Sequence, residues 1–113
     1  MSDTAVAVER IGPTTLIHVK GEVDMASEGL LRRHLSEVID EEPATIVLDL
    51  TGVTFFASAG LHVLVDVGHG AAARGVTLLV VADSRIVLRP MQITGVDQLV
   101  TVLGSVDQAL AHS

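Results

Sequence analysis

Two short apolar runs constrain this chain more than any other feature. Residues 45–50 read Thr-Ile-Val-Leu-Asp-Leu, and residues 76–82 read Val-Thr-Leu-Leu-Val-Val-Ala. Neither approaches the ~20 residues that cross a bilayer. Neither alternates polar with apolar, as a half-buried strand would. Continuous β-branched and aliphatic runs suit strands covered on both faces, the parallel kind. Parallel neighbours need a crossover, and residues 58–74 between them have helical spacing. Leu61, Leu64, Val65, Gly68 and Ala72 fall on one face of that helix, and Gly75 stops it.

The remaining elements fit around this unit. Ala5–Ile11 reads as a first strand and residues 14–20 as its hairpin partner across Gly12-Pro13. Leu16 and His18 share one face of the second strand, Ile17 and Val19 the other. Residues 21–24 break it, and Asp24 or Ser27 caps a helix carrying Leu31, Leu35, Val38 and Ile39. That helix ends near Asp40, before Glu41-Glu42-Pro43, an acidic and solvated loop. His34 sits beside its apolar stripe. Residues 51–56 read as a connector. Asp83-Ser84 caps a short helix over residues 85–93, in which Pro90 signals a kink or an early start, and Gly95 ends it. Residues 99–103 make a last strand. Ser105 caps a terminal helix with Val106, Ala109 and Leu110 turned inward and His112 in a frayed tail.

The order is ββαβαβαβα. It predicts a single α/β domain over residues 1–113, with a mostly parallel sheet of four to five strands, an antiparallel N-terminal strand and about four helices. The surface scaling for 11.8 kDa is ~5,900 Å² folded against ~17,000 Å² extended, enough burial for an independent core. Sites in such sheets form beyond the carboxyl ends of the strands, which here means residues 51–58 and 82–84.

Composition narrows the function. The net charge is −7, which repels phosphate backbones and anionic lipid, so neither nucleic acid nor a membrane is expected as a partner. Aromatics are 2% of the chain, only Phe55 and Phe56, which leaves no platform for stacking bases. Cysteine is absent, excluding disulfides and thiolate metal sites and suiting a cytoplasmic protein. Met1-Ser2-Asp3-Thr4 lacks the basic start and apolar run of a secretory leader, and a soluble protein is expected.

Ser58 is the chief candidate residue. It stands at a strand-to-helix junction, where free N–H groups and the helix dipole favour a phosphate. By position alone a capping role is the more common one for Ser. Nucleophile chemistry fits poorly: Gly60 matches the sharp elbow, but Phe56 crowds the other glycine position, and His62 has no ordered acid partner. His62, Asp66 and His69 recur at i, i+4 and i+7, a spacing that can hold a metal. A solvated stripe bordering a partner surface is the preferred reading, and no metal site is expected. His18 reads as a structural residue. Asp24 and Asp49 either orient the Ser58 segment or serve turns and caps. There is no Gly-rich phosphate loop, and no cofactor is expected.

Gly21-Glu22-Val23-Asp24, then residues 46–55 (Ile-Val-Leu-Asp-Leu-Thr-Gly-Val-Thr-Phe), then Ser58-Ala59-Gly60-Leu61, resemble a STAS domain. More narrowly, the chain resembles the bacterial anti-sigma factor antagonists. Arg74-Gly75, Asp83-Ser84 and Thr94-Gly95-Val96 extend the likeness along nearly the whole chain. The resemblance implies a regulatory protein rather than an enzyme. Such an antagonist binds an anti-sigma factor that is also a serine kinase, and so frees the sigma factor. Phosphorylation of a Ser at the start of the second helix, here Ser58, releases it, and a serine phosphatase resets it. The implied partner surface comprises Asp24, Thr54, Phe56, Ala57, Ser58, Ala59, Gly60, Leu61, His62 and Ser84. Of the two rings, one anchors the segment beneath the helix and the other stands free. Ala57 departs from the family, which commonly carries Asp there, and Ala59 replaces a second small polar residue. The alternative is therefore a constitutive STAS scaffold that phosphorylation does not regulate.

Overall fold

The computed structural model describes residues 4–112. Met1-Ser2-Asp3, read above for a leader, lie outside the described residues. Ten elements follow the expected alternation: β1 (Ala5–Ile11), β2 (Thr14–Val23), α1 (Glu28–Asp40), β3 (Thr45–Phe56), α2 (Ser58–Ala73), β4 (Thr77–Val81), α3 (Arg85–Thr94), a single 3₁₀ turn (Val96–Gln98), β5 (Thr101–Leu103) and α4 (Val106–His112). The strands lie in the order β1-β2-β3-β4-β5, antiparallel for the first pair and parallel thereafter. The accessible surface is 5796 Å².

The first run behaves as a doubly covered strand requires, and the second does so from Leu79 to Ala82. Every residue from Thr45 to Leu50 is buried. Ile46, Leu48 and Leu50 join Ile17, Val19 and Val80 on the face covered by α1, α2 and α3. Val47, Leu16, Leu79 and Val81 point the other way, onto Ala109 of α4. Alternation along each strand thus feeds both layers.

Four boundaries differ from those expected. β2 continues past Lys20 to Val23, and residues 51–56 are strand rather than connector. Two register shifts make this possible: His18 pairs with Asp49, Lys20 with Gly52, and Glu22 with Phe55. β3 therefore takes two more residues than β2 over the same span, and these bulges absorb the polar Thr51-Gly52 interruption. β4 is shorter than the apolar run, and β5 starts at Thr101 because residues 96–98 wind into the 3₁₀ turn. The buried face of α2 also differs. It comprises Ala59, Gly60, Leu61, Val63, Leu64, Val67 and Ala71, while Ala72 is exposed. Residues 61, 64, 65 and 68 form only one edge of that arc. α2 packs against α1 as well as the sheet, so it buries a wider sector than a single stripe.

The α3 helix runs through Pro90 to Thr94, whose hydroxyl donates to the Pro90 carbonyl at 2.7 Å. Gly95 ends it at φ +80°, the left-handed conformation that glycine adopts without strain. Ser105 caps α4 by accepting from the Gln108 N–H at 3.1 Å. Among the described residues, no helix is long and apolar enough to cross a membrane.

Candidate functional site

The bulged end of β3 aims two rings in opposite directions. Consecutive strand residues face opposite sides, so Phe56 turns inward, 6% exposed, and Phe55 turns outward, 51% exposed. The connection to α2 is then Ala57 alone. Its N–H donates to the Val23 carbonyl at 2.9 Å, tying the start of α2 to the end of β2. Ala57 is the N-cap residue, in extended conformation, and its methyl cannot cap. Ser58 is the first helical residue, exposed, and its hydroxyl makes no hydrogen bond to another described residue. The capping role considered for Ser58 is therefore corrected: the chain reaches the cap position one residue earlier.

Gly60 is a packing requirement. A Cβ there would lie 2.7 Å from the Phe56 ring and 2.9 Å from Val23 Cγ1. The first turn of α2 sits directly on the buried ring.

Asp24 begins the turn into α1. Its Oδ1 accepts from the Ala26 N–H at 3.0 Å and the Ser27 N–H at 3.1 Å, while Ser27 Oγ accepts from the Asp24 N–H at 2.9 Å. Ser27, 2% exposed, stands at the α1 N-cap position without capping the helix through its side chain. The turn brings Asp24, Met25 and Glu28 against Ala57, Ser58, Ala59 and His62 around an open depression of about 390 Å³. Met25 is 83% exposed. Ser58 thus shares the lining of one depression with two carboxylates, a thioether and an imidazole.

This placement sorts the expected surface. Asp24, Ala57, Ser58, Ala59 and His62 come together around the depression. Thr54 is exposed on β3 but outside it. Ser84 lies at the same sheet end and caps α3, accepting from the Ile86 N–H at 3.1 Å. Phe56, Ala59, Gly60 and Leu61 are buried and pack the strand-to-helix junction, with Ala59 also lining the depression. The exposed Phe55 is the free-standing ring expected above; Met25 and Glu28, which line the depression with Ser58, were not among the expected surface residues. Strand alternation would have separated the two rings had residues 51–56 been read as strand. Met25 and Glu28 carry no comparable signal, because the α1 entry turn brings them there.

Neither Asp24 nor Asp49 hydrogen-bonds Ser58: Asp24 serves the turn into α1, and Asp49 lies within β3, where it holds Thr51 and His18. Asp49, 7% exposed, accepts from the Thr51 N–H at 3.0 Å and the Thr51 hydroxyl at 2.7 Å, and its Oδ2 lies 2.7 Å from His18 Nδ1. Burial pushes its carboxyl up, but the Thr51 backbone, the Thr51 hydroxyl and the His18 ring together outweigh it, and the net direction is downward. A carboxyl lowered in the native state contributes stability above its unfolded pKa of about 4, lost as pH falls through the native value. Asp49→Asn should therefore be about 1–3 kcal/mol less stable than wild type at pH 7. Thermal melts should show that gap narrowing towards pH 3; a gap independent of pH would contradict the ionised role.

The His62-Asp66-His69 stripe is divided. Asp66 is 2.6 Å from Arg32 Nη1, and Arg32 Nε reaches Glu28 at 2.9 Å, bridging α1 to α2. His69 is exposed. Among the described residues, no three His, Cys, Asp or Glu side chains gather to hold a metal ion.

Residues 5–109 match the STAS domain family. The chain belongs to that family. Within it, this STAS domain is 27% identical over 95 residues to the anti-sigma-F factor antagonist RsfB of Mycobacterium tuberculosis, covering 84% of this chain and 77% of RsfB. It is 30% identical over 101 residues to Rv2638 of the same organism, covering 88% of this chain and 68% of that protein. The crystal structure of an anti-sigma factor antagonist from Mycobacterium paratuberculosis superposes with a TM-score of 0.92 at 27% identity, covering 97% of this chain and 93% of that one. The antiparallel β1, the parallel remainder and the four helices are thus the STAS fold in this chain.

Proposed function

We propose that this protein is an anti-sigma factor antagonist switched at Ser58. It binds an anti-sigma factor in the cytoplasm, so freeing a sigma factor. The serine kinase activity of the anti-sigma factor phosphorylates Ser58 and ends the complex, and a serine phosphatase restores it. The protein itself performs no catalysis. The observation that carries this reading is the exposed, unbonded Ser58 hydroxyl on the first residue of an uncapped helix. The relatives named above support the partner class.

Chemistry at this position favours a switch over an unfolding event. The first turn of α2 carries no acid, and Ala57 leaves its leading N–H groups without a side-chain acceptor. A phosphate on Ser58 meets those donors and the positive end of the helix dipole. The surface meanwhile changes by about −1.5 to −2 charges beside Asp24 and Glu28. A partner that docks on the exposed Met25 and Phe55 then meets three anionic groups at the contact. Thr54, Ala57 and His62 border the same surface, with Ser84 further along the sheet end.

The kinase reaction tests the assignment. Incubation with the cognate anti-sigma factor and ATP should add about 80 Da to wild type, one phosphoryl group, and nothing to Ser58→Ala. Equal modification of the alanine variant would move the site elsewhere. Ala57 favours a second reading, a constitutive scaffold, because no carboxylate flanks the acceptor. In that case wild type and Ser58→Ala bind the partner equally, with or without ATP.

A further inference from the structure

The depression beside Ser58 holds two carboxylates, Asp24 and Glu28, and one side chain able to become a cation, His62. Ser58 and His62 stand four residues apart on α2, so their side chains lie one above the other on the same face. His62 is exposed, and its ring makes no hydrogen bond to another described residue. Arg32, the cation beyond it, is already engaged: Nε with Glu28 at 2.9 Å and Nη1 with Asp66 at 2.6 Å.

We propose that His62 is a positioning residue for the phosphate on Ser58: its imidazolium pairs with the phosphoserine across one helical turn. The proposal rests on the reading of Ser58 as the acceptor. Phosphoserine loses its second proton near pH 6. A cation beside the phosphate favours the dianion. The charged groups around His62 act in both directions. Asp24 in the entry turn opposes the phosphate dianion, and Glu28 on α1 opposes it less, being paired with Arg32. Asp66, one turn further along α2, is occupied by Arg32. His62 is therefore the side chain free to offset a dianion next to two carboxylates. It holds the phosphate over the first turn of α2, where the partner would otherwise dock.

The test places phosphoserine at position 58 by genetic encoding, so that it does not depend on a kinase. A ³¹P NMR pH titration then compares wild type, His62→Gln and His62→Lys, each checked for an unchanged thermal melt. The wild-type phosphate midpoint should lie about 0.3 of a pH unit below that of His62→Gln, the worth of an exposed i, i+4 ion pair. His62→Lys, with a fixed cation, should titrate at or below wild type. Coincident midpoints for wild type and His62→Gln would overturn the proposal. The kinase and mass measurement above judges the Ser58 reading separately, so failure of one is distinguishable from failure of the other.

Discussion

Ser58→Glu should lose partner binding and keep its fold. Ser58 is exposed and its hydroxyl holds nothing in place among the described residues, so replacing it removes no native bond. A glutamate in the first turn of a helix is favourable by ~0.3–1 kcal/mol through the dipole. The thermal midpoint should therefore stay within about 2 °C of wild type or rise slightly. Binding should respond very differently. The new carboxylate joins Asp24 and Glu28 around one depression. Like charges forced together at an interface cost several kcal/mol, and each ~1.4 kcal/mol is tenfold in affinity, so a loss of about 100-fold is expected. Ser58→Ala should bind as wild type does. A Glu variant that unfolds would mean that Ser58 is structural; one that binds normally would mean that charge at this position does not control docking.

The two phenylalanines should separate stability from recognition. Phe56→Ala empties the space beneath Gly60 and beside Val23, where the ring now packs within van der Waals contact of the first turn of α2. Truncating a buried Phe costs about 3–5 kcal/mol. In a domain of this size that lowers the thermal midpoint by roughly 12 °C or more. Phe55→Ala, at a half-exposed ring, should change stability by no more than about 0.5 kcal/mol. Its effect should fall on the complex, at least about tenfold in affinity, because exposed aromatic anchors carry a disproportionate share of interface energy. Urea unfolding of both variants, with partner titration of the folded one, checks the pair. A stable Phe56→Ala would contradict the packing. A Phe55→Ala that binds as wild type does would remove that ring from the interface.

The legibility of this chain in its sequence follows from where burial is two-sided. Residues 45–50 and 79–82 are legible because both faces of the sheet are covered there, and no polar alternation interrupts them. Ala5–Ile11 was legible to the residue because Gly12-Pro13 ends it. Reading failed where the strand ceased to be doubly buried. From Thr51 to Phe56 the pattern holds a glycine and two hydroxyl residues, and only long-range pairing with Lys20 to Val23 keeps it extended. Those bulges decide the site, since they set which ring faces water and leave Ala57 as the whole connection. The position of Ser58 was legible from its strand-to-helix context and the family likeness. The neighbours Met25 and Glu28 were not, because they arrive from the α1 entry turn, thirty or more residues earlier in the chain. The stripe on α2 was legible as a pattern, but the partner of Asp66 was not, because Arg32 comes from another helix.

The most direct measurement follows one sample of this protein through the kinase reaction. Its affinity for the cognate anti-sigma factor is measured before phosphorylation and again afterwards, with the phosphoryl group located on Ser58 by peptide mass. Tight binding before and binding at least about 100-fold weaker after is the expected result, with Ser58→Ala unchanged by ATP. Equal affinity of the phosphorylated and unphosphorylated protein would contradict a switch at Ser58.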